Sequence, residues 1–106
     1  MSDDGWVAEV TGSGRAALHA VMVGGPAAEG WLQQCFRGNG STPHGNLVDE
    51  SGEVIDDVVW IRWPGEESQH LLTLHGSPWL REEVVQRFER LGAVRRGDRD
   101  DLLQMW

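Results

Sequence analysis

Apolar residues in this chain fall in short clusters between turn-forming residues, and the spacing inside each cluster predicts an element. Trp6 to Val10 alternates weakly and stops at Thr11-Gly12-Ser13-Gly14, which predicts a short strand followed by a turn. Leu18 to Val23 is apolar and ends at Gly24-Gly25-Pro26, so the two runs read as a hairpin. Pro26 suits the first turn of a helix, where a missing N–H has no intrahelical partner to lose. Beyond it Ala28, Trp31, Leu32, Cys35 and Phe36 recur at i, i+3, i+4, i+7 and i+8, one face of a helix of about ten residues. The Gly38 to Pro43 segment then reads as a loop.

Three further strands are expected: His44 to Val48, Val54 to Trp63 and Leu71 to His75. In the long one Val59, Ile61 and Trp63 share one face and Val58 and Trp60 the other, so both faces are apolar. A central strand, or one covered by a partner, would explain that. The last clear element is a helix with Ser77 as its cap and Pro78 in its first turn. Glu82 and Glu83 are expected where the dipole favours negative charge, and Leu80, Val84, Phe88 and Leu91 form the stripe that Gly92 ends. The order β-β-α-β-β-β-α describes an α+β domain, a mostly antiparallel sheet with both helices on one face. Its core is expected over 6–93, with 94–106 as a charged tail, frayed around Arg95-Arg96-Gly97-Asp98.

Composition narrows the function. The chain has 106 residues, enough for one domain, and 9 basic against 17 acidic residues give a net charge of −8. That balance repels phosphate, so unaided nucleic-acid binding is not expected. All nine basic residues are arginine, which excludes a P-loop lysine and a Schiff-base lysine. The single cysteine, Cys35, sits on the apolar helix face and reads as a small hydrophobe in a reducing compartment. The start, Met1-Ser2-Asp3-Asp4, lacks the apolar run of a secretion signal, and no stretch is long enough to span a bilayer. A cytoplasmic location is the expectation.

Local motifs supply little chemistry. Gly12-x-Gly14-x-x-Ala17 fits the bare dinucleotide pattern, but only a few residues precede Gly24-Gly25-Pro26, too few for a crossover helix and a parallel strand. His70 and His75 are five apart on a strand and point to opposite faces, so they do not meet on one metal ion. The acidic pairs Asp56-Asp57, Glu66-Glu67 and Glu82-Glu83 are sequence neighbours and splay rather than share a proton. No catalytic residue is assigned. Six tryptophans exceed what a core of this size needs, and Trp6, Trp79 and Trp106, near element ends, point to a partner surface.

A series of strings is more specific than any one of them. Thr11-Gly12-Ser13-Gly14-Arg15-Ala16-Ala17, the apolar run after it and Gly24-Gly25-Pro26 resemble the T-P-P-G-R-G-G, strand, S-G-P opening of the tRNA modification GTPases of the MnmE (TrmE) family. His44-Gly45-Asn46-Leu47-Val48-Asp49 and Gly52-Glu53-Val54-Ile55-Asp56-Asp57-Val58 resemble that family's H-Y-G-x-L-x-D and G-E-V-I-D-E-V. Leu74-His75-Gly76-Ser77-Pro78 stands where the family has C-H-G-G-P, and Leu91-Gly92-Ala93 where it has L-G-A.

The resemblance implies the family's N-terminal module, an α+β folate-binding domain related to the glycine-cleavage T-protein. It implies a homodimer with a tetrahydrofolate derivative, 5-formyl or 5,10-methylene, near the interface. It also implies a role in modifying the tRNA wobble uridine beside a separate GTPase or helical protein and a flavin-dependent MnmG-like partner. The residues that could still hold folate are Arg15, His75 and Gly76. The family's folate-contacting arginine, however, falls at Met22 and its glutamate at Leu71, and its lysine has no counterpart. The alternative implied is a dimerisation scaffold that no longer binds folate; an aminomethyl transferase of the T-protein type is a third reading.

Overall fold

The computed structural model describes residues 4–11, 19–38, 42–63, 68–74 and 78–96. The expected hairpin is present as β1, Trp6–Thr11, and β2, His19–Gly24, paired antiparallel with Trp6 opposite Gly24 and Val10 opposite Ala20. Helix α1 runs Ala28–Cys35 and is followed at once by β3, Phe36–Gly38, then by β4, His44–Val48, and β5, Val54–Trp63. Strand β6, Gln69–Thr73, helix α2, Pro78–Leu91, and β7, Val94–Arg96, complete the described elements. All seven strands form one sheet in the order β3-β4-β5-β6-β2-β1-β7, and every pairing is antiparallel except β1 with β7.

The α+β class and the helices on one face are as expected, and β5 is an interior strand. Its alternation places Val58 and Trp60 toward the helices and Val59 and Ile61 on the other face. On the helix side Val7, Val21, Val23, Leu47, Val58 and Leu72 meet Ala28, Trp31, Leu32 and Cys35 of α1 and Val84, Val85 and Phe88 of α2 in one buried cluster. On the opposite face Trp6, Ala8, Val10, Ala20, Met22 and Leu71 form a second, smaller one.

Several boundaries differ from the sequence reading. Two three-residue strands were not anticipated, because neither β3 nor β7 has a run long enough to show a period. Phe36, expected as the last residue of the α1 stripe, is extended (φ −105°, ψ 128°) and begins β3. Val94–Arg96, placed in the charged tail, is the sheet's parallel edge, joined to the chain start by Val94 N–H donating to Gly5 O at 3.0 Å. Strand β6 begins two residues earlier than expected, and His75 and Ser77 lie outside the described residues. Ala27 is the N-cap of α1, so Pro26 precedes the helix rather than occupying its first turn.

Helix α2 has no acidic residue in its first turn: Glu82 and Glu83 come too late to meet the dipole. Its buried stripe is Val84, Val85 and Phe88, with Leu91 half-buried against it. It ends as predicted, with Gly92 at φ +120°, Gly92 N–H on Glu89 O and Ala93 N–H on Phe88 O, a Schellman closure.

The turn out of β2 needs glycine for two reasons. Gly25 has φ +105°, and a Cβ on it would stand 2.5 Å from Gly5 Cα and 3.0 Å from Asp4 O. The crowding arises because this turn is tied down on both sides, by Gly25 N–H on Ser68 O and Ala27 N–H on Asp4 O. Gly25→Ala is therefore expected to lower stability by about 2 kcal/mol or more, read as a reduced urea midpoint in tryptophan fluorescence with the slope unchanged.

Candidate functional site

The two positions at which the resemblance would place an arginine and a glutamate are brought together by the sheet. Met22 on β2 and Leu71 on β6 are direct register partners, and both side chains are fully buried in the smaller apolar cluster. Ala8 lies across from Met22 and Ile61 across from Leu71, which makes an apolar row over four strands. Removing each of these two large side chains from water contributes about 1.5 to 3 kcal/mol, and all four described residues of the row are apolar. Arg15, His75 and Gly76, the folate candidates, lie outside the described residues.

One row further along, β6 carries a polar side chain toward the helices. Val23 pairs with His70 and His70 with Arg62, so His70 sits on the α1 side of the sheet, 2% exposed. Trp60 Nε1–H donates to His70 Nδ1 at 2.9 Å, and Ser68 Oγ lies 2.8 Å from His70 Nε2. Since the indole can only donate, Nδ1 must accept; the neutral ring then carries its proton on Nε2 and donates to the serine. Around this pair Phe36 meets Trp60 edge-on at 5.2 Å, and Arg62 lies over the indole at 4.5 Å while bonding Glu29 of α1 at 3.2 Å. Both ring nitrogens of His70 are thus engaged. Its bond to Trp60, ten residues away, has no sequence signal.

Burial holds His70 below its ordinary value of 6.5, a shift opposed by Glu29 and reinforced by Arg62. The unfolded chain therefore binds the proton more tightly, and the stability His70 contributes is complete above pH 6.5 and declines as the pH falls through its lower folded value. Urea midpoints are expected to drop between pH 7.5 and pH 5.5, with the drop diminished in His70→Gln, which cannot titrate.

Cys35 is buried, as its place in the apolar stripe implied, with its thiol on Trp31 O at 3.2 Å. Burial pushes it up to about 11, against the weaker pull of Arg87. Such a thiol is a poor nucleophile: at pH 8 its modification by a disulfide reagent is expected to run about 100-fold slower in the folded protein than in urea.

Charged residues join α2 to β7, to β1 and to the end of β4. Arg95 of β7 bonds Glu82 and Glu89 of α2, and Arg81 Nε lies 3.1 Å from Glu9 of β1, off the hydrogen-bond direction. Arg87, 5% exposed, donates to Val48 O at 3.1 Å, and Arg90 pairs with Glu50. The paired arginines hold Glu82 and Glu50 below the usual carboxylate range. Trp6, expected near an exposed end, is 6% exposed, whereas Trp79 is 68% exposed; Trp106 lies outside the described residues. Among the described residues no cluster of histidine, cysteine and carboxylates could hold a metal ion. No described helix is long and apolar enough to cross a membrane.

Comparison with known proteins places this sheet beside a tRNA modification enzyme. The chain is 34% identical over 92 residues to the tRNA modification GTPase MnmE of Pseudomonas syringae pv. tomato, an alignment covering 78% of this chain and 20% of that protein. It is 32% identical over 92 residues to MnmE of Pseudomonas savastanoi pv. phaseolicola, and 43% identical over 67 residues to MnmE of Salinibacter ruber, there covering 56% of this chain and 14% of the relative. The chain thus spans about a fifth or less of the length of these curated relatives and is related to a region of MnmE. No family model matches it.

Proposed function

We propose that this chain is a relative of the N-terminal module of MnmE and serves tRNA wobble-uridine modification as a homodimerising assembly unit. The similarity to MnmE over 78% of the chain carries this reading. The α+β order and the hairpin, G-E-V-I-D and L-G-A strings described above support placing it at the N-terminal module. A lysine-free chain cannot itself supply a P-loop. The self-association surface proposed is the helix-free face of the sheet, where Val59 and Ile61 are half-exposed beside the smaller apolar cluster.

Within this role, the scaffold reading is favoured over the folate-binding one by the Met22–Leu71 pair, an apolar contact at the place where the family carries opposite charges. A ligand whose polar atoms meet two methyl-bearing side chains forfeits about 1 to 3 kcal/mol for each unmet group. Tetrahydrofolate binding, the second reading, would depend on Arg15, His75 and Gly76.

Two measurements separate these accounts. Light scattering after gel filtration at tens of micromolar should give twice the chain mass of 11.8 kDa; a monomer would overturn the assembly role. Titration with 5-formyltetrahydrofolate, corrected for inner-filter loss, should leave tryptophan emission flat. Saturable quenching that Arg15→Ala weakens would restore the folate reading.

A further inference from the structure

We propose that the helix-free face carries, at its β3 edge, a binding site for a small oxyanion, the carboxylate or phosphate group of a ligand. Strand register sets Arg37 opposite Asn46 and Asn46 opposite Asp57, one polar row across β3, β4 and β5. His44, two residues before Asn46 on β4, shares that face, and its Nε2 lies 2.6 Å from Asp57 Oδ1. With Gly38 and Gly45 these four side chains line an open cleft of about 290 Å³. Its floor is backbone. The other side of the sheet is filled by Phe36, whose ring would stand 2.6 Å from a Cβ on Gly45.

The charge pattern selects the ligand. Arg62, Arg81, Arg87, Arg90 and Arg95 each have a carboxylate partner, and Arg96 lies over the ring of Trp6. Arg37 has no carboxylate partner among the described residues, although the chain is strongly acidic. The carboxylate nearest in its own row, Asp57, is taken by His44. Arg37 is also held in place: its Nη1 donates to Gln34 O at 2.9 Å and to Phe36 O at 3.4 Å, leaving the rest of the guanidinium fork to donate. A held, uncompensated guanidinium above a glycine floor, with an amide beside it, fits a planar or tetrahedral oxyanion. The NH2 group of Asn46 adds two donors, and Asp57, the carboxylate among the described lining residues, is engaged by His44.

The test is a nitrogen–proton NMR titration of the whole chain with sodium phosphate, and separately sodium acetate, at ionic strength held constant with chloride. Saturable shifts are expected at the Arg37 guanidinium, the Asn46 side-chain amide and the Gly38 and Gly45 backbone amides. Arg37→Gln is expected to weaken binding at least fivefold, and Arg62→Gln to leave it unchanged. His44→Gln, which spares the bonds of Arg37 to Gln34 and Phe36, is expected to weaken it as well by uncovering Asp57. Saturation by phosphate alone identifies a phosphate site, and saturation by both a general oxyanion site. Non-saturating shifts spread over all arginines, or shifts that neither variant reduces, would overturn the proposal.

Discussion

The fold rests on one buried layer in which two short helices cover a single face of the sheet. Phe88 and Val84 of α2 and Leu32 and Trp31 of α1 close on Val7, Val21, Val23 and Leu72 of the central strands. Neither helix is long enough to be stable alone in water, so this contact is what makes them helices. It also explains the unequal treatment of the two faces. Every large side chain spent on the helix side leaves β5 and β6 to present Ile61 and Leu71 behind it, where a smaller cluster forms.

Charge is arranged to protect that layer rather than to add much stability. The chain carries an excess of acid, and three of its arginines are placed where α2 meets β7, β1 and the end of β4: Arg95 reaches Glu82 and Glu89, Arg81 reaches Glu9, and Arg87 enters the interior to satisfy Val48 O. Exposed pairs of this type contribute little individually. The buried donor of Arg87 is different, because it meets a main-chain carbonyl that would otherwise be desolvated without a partner. Arginine suits these places better than lysine, since its fork can serve two acceptors at once, as Arg95 does.

For function, the informative feature is a contact rather than a cavity. Cross-strand pairing puts Met22 against Leu71, so two large buried apolar side chains meet at one spot on the helix-free face. A pair of this kind strengthens the sheet through buried apolar area. The polar cleft at the β3 edge, on the same face of the same sheet, shows the opposite pattern: Arg37 there has no carboxylate partner among the described residues.

The amino-acid order alone determined most of the architecture. The hairpin, β4, β5, the apolar stripe of α1 and the glycine stop of α2 were legible because each is long enough, or sharply enough punctuated, to show its period. The MnmE likeness was legible from strings in series. What only the tertiary structure decided were contacts between residues far apart: Phe36 leaving the helix stripe to pack on Trp60, three-residue β7 finding its partner in β1, and His70 accepting the Trp60 indole proton. A strand of three residues has no periodicity to read, and a hydrogen bond between strands depends on register. Register is set when the whole sheet closes on its helices, which no local window contains.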